Sequence, residues 1–179
     1  MAIQVSNFAG QNWTITPEAL AVNEPPPASI SAQKFLLLLT GVGIIDLQGD
    51  NINDWRRETV TIFPDIASPL NFAAARYGIP RPVGLNTMPA IELEQWAPFA
   101  AVSSSFASEF GGVNAGFAVD VWRPTPFLHT VDAGGQPLNS VFTGIDVDVA
   151  VRNTYGTLHR VSYHITLLGR IVFLVESGV

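Results

Sequence analysis

The chain has 179 residues, of which 47% are hydrophobic and only 13% are charged, and its formal net charge is −6. An ordinary soluble domain has about 25% charged residues, so we expect another surface, most simply a second copy of the chain, to cover part of this one. A single lysine leaves no basic stripe for nucleic-acid phosphates, and the absence of cysteine excludes disulfides and thiol nucleophiles.

The first half of the chain is dominated by strand patterns. Apolar and polar residues alternate over 3–8 and 13–16 around a Gly-Gln-Asn turn signal, which predicts an N-terminal hairpin. The run 34–47 is apolar on both faces and predicts a central strand. Within it, Gly41 and Gly43 indicate a bulge or a close approach of two backbones.

One short helix is predicted in the middle of the chain. Ser68 can cap its start, Pro69 suits the first helical position, and Gly78 suits the end. The segment between the N-terminal hairpin and the central strand holds three consecutive prolines, which favour an extended connection. Further strand patterns occur at 55–63, 91–96, 100–108, 113–122 and 127–131.

The last third of the chain predicts a hairpin of two amphipathic strands. Apolar residues alternate with polar ones over 145–152 and again over 159–167, with a turn signal at 153–157. A five-residue loop places Asp146 opposite His164, whereas a three-residue loop places Asp148 there. We prefer the first register, since the second also brings two arginines face to face.

Asp146, Asp148 and His164 are the catalytic candidates of the sequence. A carboxylate beside an imidazole can orient a general base, and two carboxylates with a histidine can bind a metal. A solvated sheet face with cross-strand ion pairs is the more common reason for such a pattern. We therefore predict neither a catalytic site nor a metal site, and keep these three residues as the ones to test.

The ligand-binding candidates are an acidic turn and one tryptophan. Asp50, Asn53 and Asp54 lie in a turn rich in oxygen ligands, but the chain lacks the spacing of an EF-hand loop. Trp96 lies on a predicted edge strand and is the tryptophan we expect to be exposed for stacking. The glycines at 41 and 43 lack the remainder of a dinucleotide fingerprint, so no cofactor is predicted.

The strand patterns predict an all-β protein, an antiparallel β-sandwich of jelly-roll type with one short connecting helix, built as a single domain over residues 1–179. A closed β-barrel is the alternative architecture. No run approaches the roughly 20 apolar residues of a membrane-spanning helix. The N-terminus lacks the pattern of a secretory signal, so we expect synthesis in the cytoplasm.

Low charge and β-sandwich patterning favour a non-enzymatic structural subunit that self-associates into a shell, coat, tube or fibre. A second hypothesis is a ligand-binding β module, either lectin-like or with an apolar ligand inside a barrel. A third and least favoured hypothesis is a barrel enzyme that uses His164 and Asp146.

Overall fold

The computed structural model of the chain describes residues 3–5, 8–18, 29–94, 99–109, 115–126, 131–138 and 140–176. Strands and one α-helix, α1 (Ala67–Tyr77), make up most of these ranges. The strands are β1 (Ile3–Val5), β2 (Phe8–Pro17), β3 (Lys34–Gln48), β4 (Trp55–Ile62), β5 (Thr87–Leu93), β6 (Phe99–Glu109), β7 (Gly116–Pro126), β8 (Phe142–Arg152) and β9 (Gly156–Val175). No helix within these ranges is long and apolar enough to cross a bilayer.

The strands form two sheets. The first sheet has the order β1-β4-β8-β7, and the second has the order β2-β3-β9-β5, with β6 also paired to β9. The pairings are antiparallel except that of β1 with β4. The predicted all-β sandwich with one short helix is therefore confirmed, and the described strands do not close into a single barrel.

The core lies between the two sheets and follows from the period of two residues along each strand. In β8 every second residue from Ile145 to Val151 is at most 1% exposed. In β9 the inward residues run from Val161 to Leu167 and are at most 3% exposed. Each such aliphatic side chain contributes about 1.5–3 kcal/mol when it leaves water, so these alternating rows hold the sheets together.

The predicted pairing of the two C-terminal strands is wrong. β8 pairs with β4 and β7 in the first sheet, whereas β9 pairs with β3, β5 and β6 in the second. The chain crosses between the sheets at the turn after β8, where Asn153 has a φ of 82°. Alternation tells which residues face inward, but two strands stacked across the core satisfy it as well as two strands side by side.

The predicted N-terminal hairpin is also wrong. β1 pairs in parallel with β4, and β2 pairs with β3, so the two segments join different sheets. The register of β2 shifts between Phe8 and Gln11, which places Gly10 in a β-bulge rather than in a turn. A glycine within a strand pattern marks either feature, and the sequence alone does not distinguish them.

Other sequence predictions are confirmed. β3 lies between β2 and β9, and Gly41 approaches the ring of Tyr163, its partner on β9. Helix α1 ends at Gly78, which adopts a left-handed conformation. The start of the helix differs from the prediction. The Asp65 carboxylate accepts the backbone N–H of Ser68 at 3.1 Å, and the Ser68 side chain does not cap the helix. The proline segment 25–27 and the predicted strand residues 127–130 lie outside the described residues.

Tyr163 joins β9 to β2 and to the start of α1. Its hydroxyl donates to Gln11 Oε1 at 3.0 Å, and the same oxygen accepts the backbone N–H of Asp65 at 2.9 Å. Burial, together with the nearby Asp65 carboxylate, raises the pKa of Tyr163 from 10.0 to about 12. The folded state thus favours the neutral phenol more strongly than the unfolded chain does.

This raised pKa predicts a loss of stability at alkaline pH. The stabilisation is complete below pH 10 and is lost as the pH rises toward 12, because the unfolded chain ionises first. Relative to Tyr163→Phe, the wild-type free energy of unfolding should fall by about 2 kcal/mol over that interval. Urea unfolding of both proteins between pH 9 and 12 measures this difference, and a difference independent of pH would contradict the assignment.

Candidate functional site

The predicted grouping of an aspartate with His164 does not occur. Asp146 is 7% exposed and accepts a hydrogen bond from Thr61 Oγ1 at 2.8 Å, while Asp148 accepts one from Thr59 Oγ1 at 2.8 Å. Both carboxylates lie on the outer face of the first sheet. His164 is exposed on the outer face of the second sheet, so the whole sandwich separates it from the two aspartates.

The acidic turn makes local hydrogen bonds. Asn51 Nδ2 donates to Asp54 Oδ2 at 3.1 Å, and the backbone N–H of Asn53 donates to Asn51 Oδ1 at 3.1 Å. Asp50, Asn53 and Asp54 are exposed. Within the described ranges no group of three or more His, Cys, Asp or Glu side chains is placed to hold a metal ion. Trp96 lies outside those ranges.

A different polar cluster, formed by Asp46, His159 and Ser108, lies on the second sheet. His159 Nδ1 is 2.7 Å from Asp46 Oδ1, and His159 Nε2 is 2.7 Å from Ser108 Oγ. An ionised carboxylate can only accept hydrogen bonds, so in the neutral imidazole Nδ1 carries the hydrogen and donates a hydrogen bond to Asp46. Nε2 then keeps its lone pair and accepts the hydroxyl hydrogen of Ser108.

The order of the strands brings these residues together. β9 carries His159 and lies between β3, which carries Asp46, and β6, which carries Ser108. Both neighbouring strands change register at this level, and His159 has no Cα partner on either one. Bulges of this kind re-aim side chains and occur often near active sites.

The backbone and the aromatic surroundings of the cluster are also distinctive. Asp46 has a φ of 48°, an uncommon value for a residue other than glycine. The ring of Phe106 stacks on the His159 imidazole with a centroid separation of 5.0 Å, and the Arg160 guanidinium lies 5.9 Å from the Phe106 ring centre. The side chain of His159 is 29% exposed, so the cluster is open to small molecules from solution.

The sequence pattern does not reveal this cluster, and the reason is physical. Strict alternation assigns His159 to the inward apolar face with Val161 and Tyr163, but the register shift opposite β6 interrupts the alternation between Leu158 and Val161. The three residues are separated by 113 and 51 positions along the chain. No local motif marks such a set, because only strand order places its members side by side.

The outer faces of the two sheets differ in charge. A shallow groove of about 480 Å³ on the first sheet is lined by charged side chains that include Arg57, Asp120 and Asp148. The middle of the second sheet's outer face has no Asp, Glu, Lys or Arg over residues 12–16, 36–42, 99–103 and 162–166. We call this second area the neutral face.

The neutral face mixes small polar and apolar side chains. Thr40, Ala101, Ser103 and His164 are exposed, and Phe99 is 65% exposed. Leu36, Leu38 and Val42 are half-buried on the same face. Ser103 and Ser162 share a hydrogen bond of 2.8 Å between their hydroxyls.

Comparison with known proteins gives no relative. No family model matches the chain, and neither the curated proteins nor the solved structures include a significant match.

Proposed function

We propose that this protein is a structural subunit that self-associates through the neutral face. The observation that carries the proposal is the absence of charged residues from four adjacent strand segments of an exposed sheet face. Monomeric proteins normally keep exposed apolar patches small and intersperse them with charges. Here Phe99 projects from the edge strand β6, and Thr166 of β9 lies between it and the half-buried Leu38 of β3. This mixture of apolar and small polar side chains suits burial against another surface.

A second copy of the chain is the occupant that the charges favour. Each copy has a formal net charge of −6, so two copies repel each other unless their contact avoids the carboxylates. The groove on the first sheet exposes Asp120 and Asp148, whereas the neutral face adds no like charges to an interface. Hydroxyls such as that of Ser103 can both donate and accept hydrogen bonds, so the face is also chemically complementary to itself.

The mass of the protein in solution tests self-association. Light scattering over a concentration series at two salt levels should give an oligomer well above the monomer mass of 19.2 kDa. We expect it to resist salt, because the contact has no charges to screen. A monomer at all concentrations would overturn the proposal and direct attention to small ligands instead.

Two matched substitutions of alanine by lysine locate the contact. Ala101 is exposed on the neutral face, and Ala118 is exposed on the outer face of the first sheet. Ala101→Lys introduces a charge that must lose water in the interface, so it should raise the dissociation constant at least about tenfold, which corresponds to about 1.4 kcal/mol. Ala118→Lys should leave the oligomer mass unchanged. Circular dichroism checks that both variants are folded. If the two folded variants change the dissociation constant equally, the contact lies elsewhere.

A further inference from the structure

From the geometry of the Asp46–His159–Ser108 cluster we infer that Ser108 is a nucleophile that accepts an acyl group from small activated esters. His159 acts as its general base, and Asp46 is a positioning residue that holds the imidazole. This inference is independent of the proposed self-association. It concerns a chemical reaction at one end of the second sheet, outside the neutral face.

The hydrogen bonds give each residue its role. A serine hydroxyl is a weak nucleophile until a neighbouring base removes its proton, and His159 Nε2 is 2.7 Å from Ser108 Oγ. The Asp46 carboxylate, 2.7 Å from Nδ1, favours the tautomer that leaves Nε2 as the acceptor. The same order of carboxylate, imidazole and hydroxyl recurs on unrelated folds and is recognised by geometry rather than by sequence position.

Two other features favour a reactive site over a chance network of surface hydrogen bonds. Asp46 keeps a left-handed backbone conformation, and strain of that kind concentrates at functional positions. Phe106 stacks on His159 and gives an aromatic surface beside the imidazole, which suits an ester with an aromatic or apolar group. Arg160, close to the Phe106 ring, brings a positive charge to the same cluster.

The reaction balances without a cofactor. Ser108 Oγ attacks the carbonyl carbon of the ester while its proton passes to His159 Nε2, and a tetrahedral oxyanion forms. The oxyanion collapses, the bond from carbon to the leaving oxygen breaks, and His159 returns the proton to the departing alcohol. Water then attacks the acyl-serine with His159 again as the base, which releases the acid and restores the Ser108 hydroxyl. The net reaction converts ester and water to acid and alcohol.

A fluorophosphonate probe with mass spectrometry tests the nucleophile, and 4-nitrophenyl acetate tests turnover. The wild type should gain one phosphonyl group on Ser108 with loss of fluoride, and Ser108→Ala should gain none. His159→Gln should slow labelling and ester hydrolysis at least about 100-fold, the range of a lost general base. The matched control is Ser140→Ala, which changes an exposed serine outside both the cluster and the neutral face. This control should react like the wild type.

Asp46 is tested by rescue. Asp46→Asn should slow labelling at least about tenfold, while Asp46→Glu, which keeps the carboxylate, should recover part of the rate. Circular dichroism confirms that each variant is folded. Absence of a phosphonyl adduct in the wild type, or equal labelling of the wild type and Ser108→Ala, would overturn the inference. Ser108→Ala should also leave the oligomer mass unchanged. A loss of labelling in this variant then does not come from a loss of self-association.

Discussion

Gly169→Ala should destabilise the protein by about 3 kcal/mol, near the upper end for overpacking. Gly169 is buried on β9 beside β5. A Cβ atom built there lies 2.8 Å from the carbonyl carbon of Glu92, overlaps its oxygen, and lies 3.1 Å from Ile91 Cγ1. The two closest atoms belong to the backbone, so the clash is relieved only if β5 moves away from β9. Thermal unfolding should show a melting temperature lower by about 10 °C.

Gly134→Ala is the matched control for this substitution. Gly134 is exposed, and the nearest atom to its Cβ is the Asp132 side-chain oxygen at 3.2 Å. A side-chain end can yield, so this variant should stay within about 0.5 kcal/mol of the wild type. If Gly169→Ala were equally neutral, the close approach of β5 to β9 would be wrong.

Phe35→Ala should lower the free energy of unfolding by about 3–5 kcal/mol. Phe35 is fully buried on the central strand β3, and its ring packs against that of Tyr77 in α1 with a centroid separation of 5.4 Å. The substitution removes a large apolar side chain and leaves a cavity between the second sheet and the helix. Chemical unfolding, monitored by tryptophan fluorescence, measures the change in the free energy of unfolding.

A phenylalanine on the surface provides the control. Phe99 is 65% exposed on the neutral face, so Phe99→Ala should change the stability of the fold by less than about 0.5 kcal/mol. The same variant should weaken self-association, which separates a folding effect from an interface effect. If Phe35→Ala does not fold, Phe35→Leu retains most of the volume, and we expect a loss of less than about 2 kcal/mol. A Phe35→Ala as stable as the wild type, or a Phe99→Ala as destabilising as Phe35→Ala, would contradict this packing.

The sequence predicts strand positions well and strand partners poorly. Both C-terminal strands alternate in the sequence, and apart from His159 the structure buries the residues predicted to face inward, such as Val147 and Ile165. Alternation depends only on which side of a strand meets the core. It carries no information on whether the next strand lies beside it or across the core, so the predicted pairing of Asp146 with His164 is wrong.

At the candidate site the sequence predicts even less, because residues from distant strands meet there. Asp46, His159 and Ser108 come from three strands, and the pairing of β9 with each neighbouring strand shifts register where their side chains meet. A bulge adds one residue to a strand and reverses the facing of the residues beyond it, and no glycine or proline lies beside these three residues to mark one. In the sequence His159 therefore resembles a core residue.

The sequence by itself determined the β class, the short helix ending at Gly78, the central position of β3 and the scarcity of charge, because local propensity, period and composition are properties of neighbouring residues. Only the tertiary structure decided which strands share a sheet, that the charge-free segments form one neutral face, and that an aspartate, a histidine and a serine meet on β3, β9 and β6. These features arise from pairing between distant segments, and the free energy that selects one pairing over another comes from the whole core rather than from any local pattern.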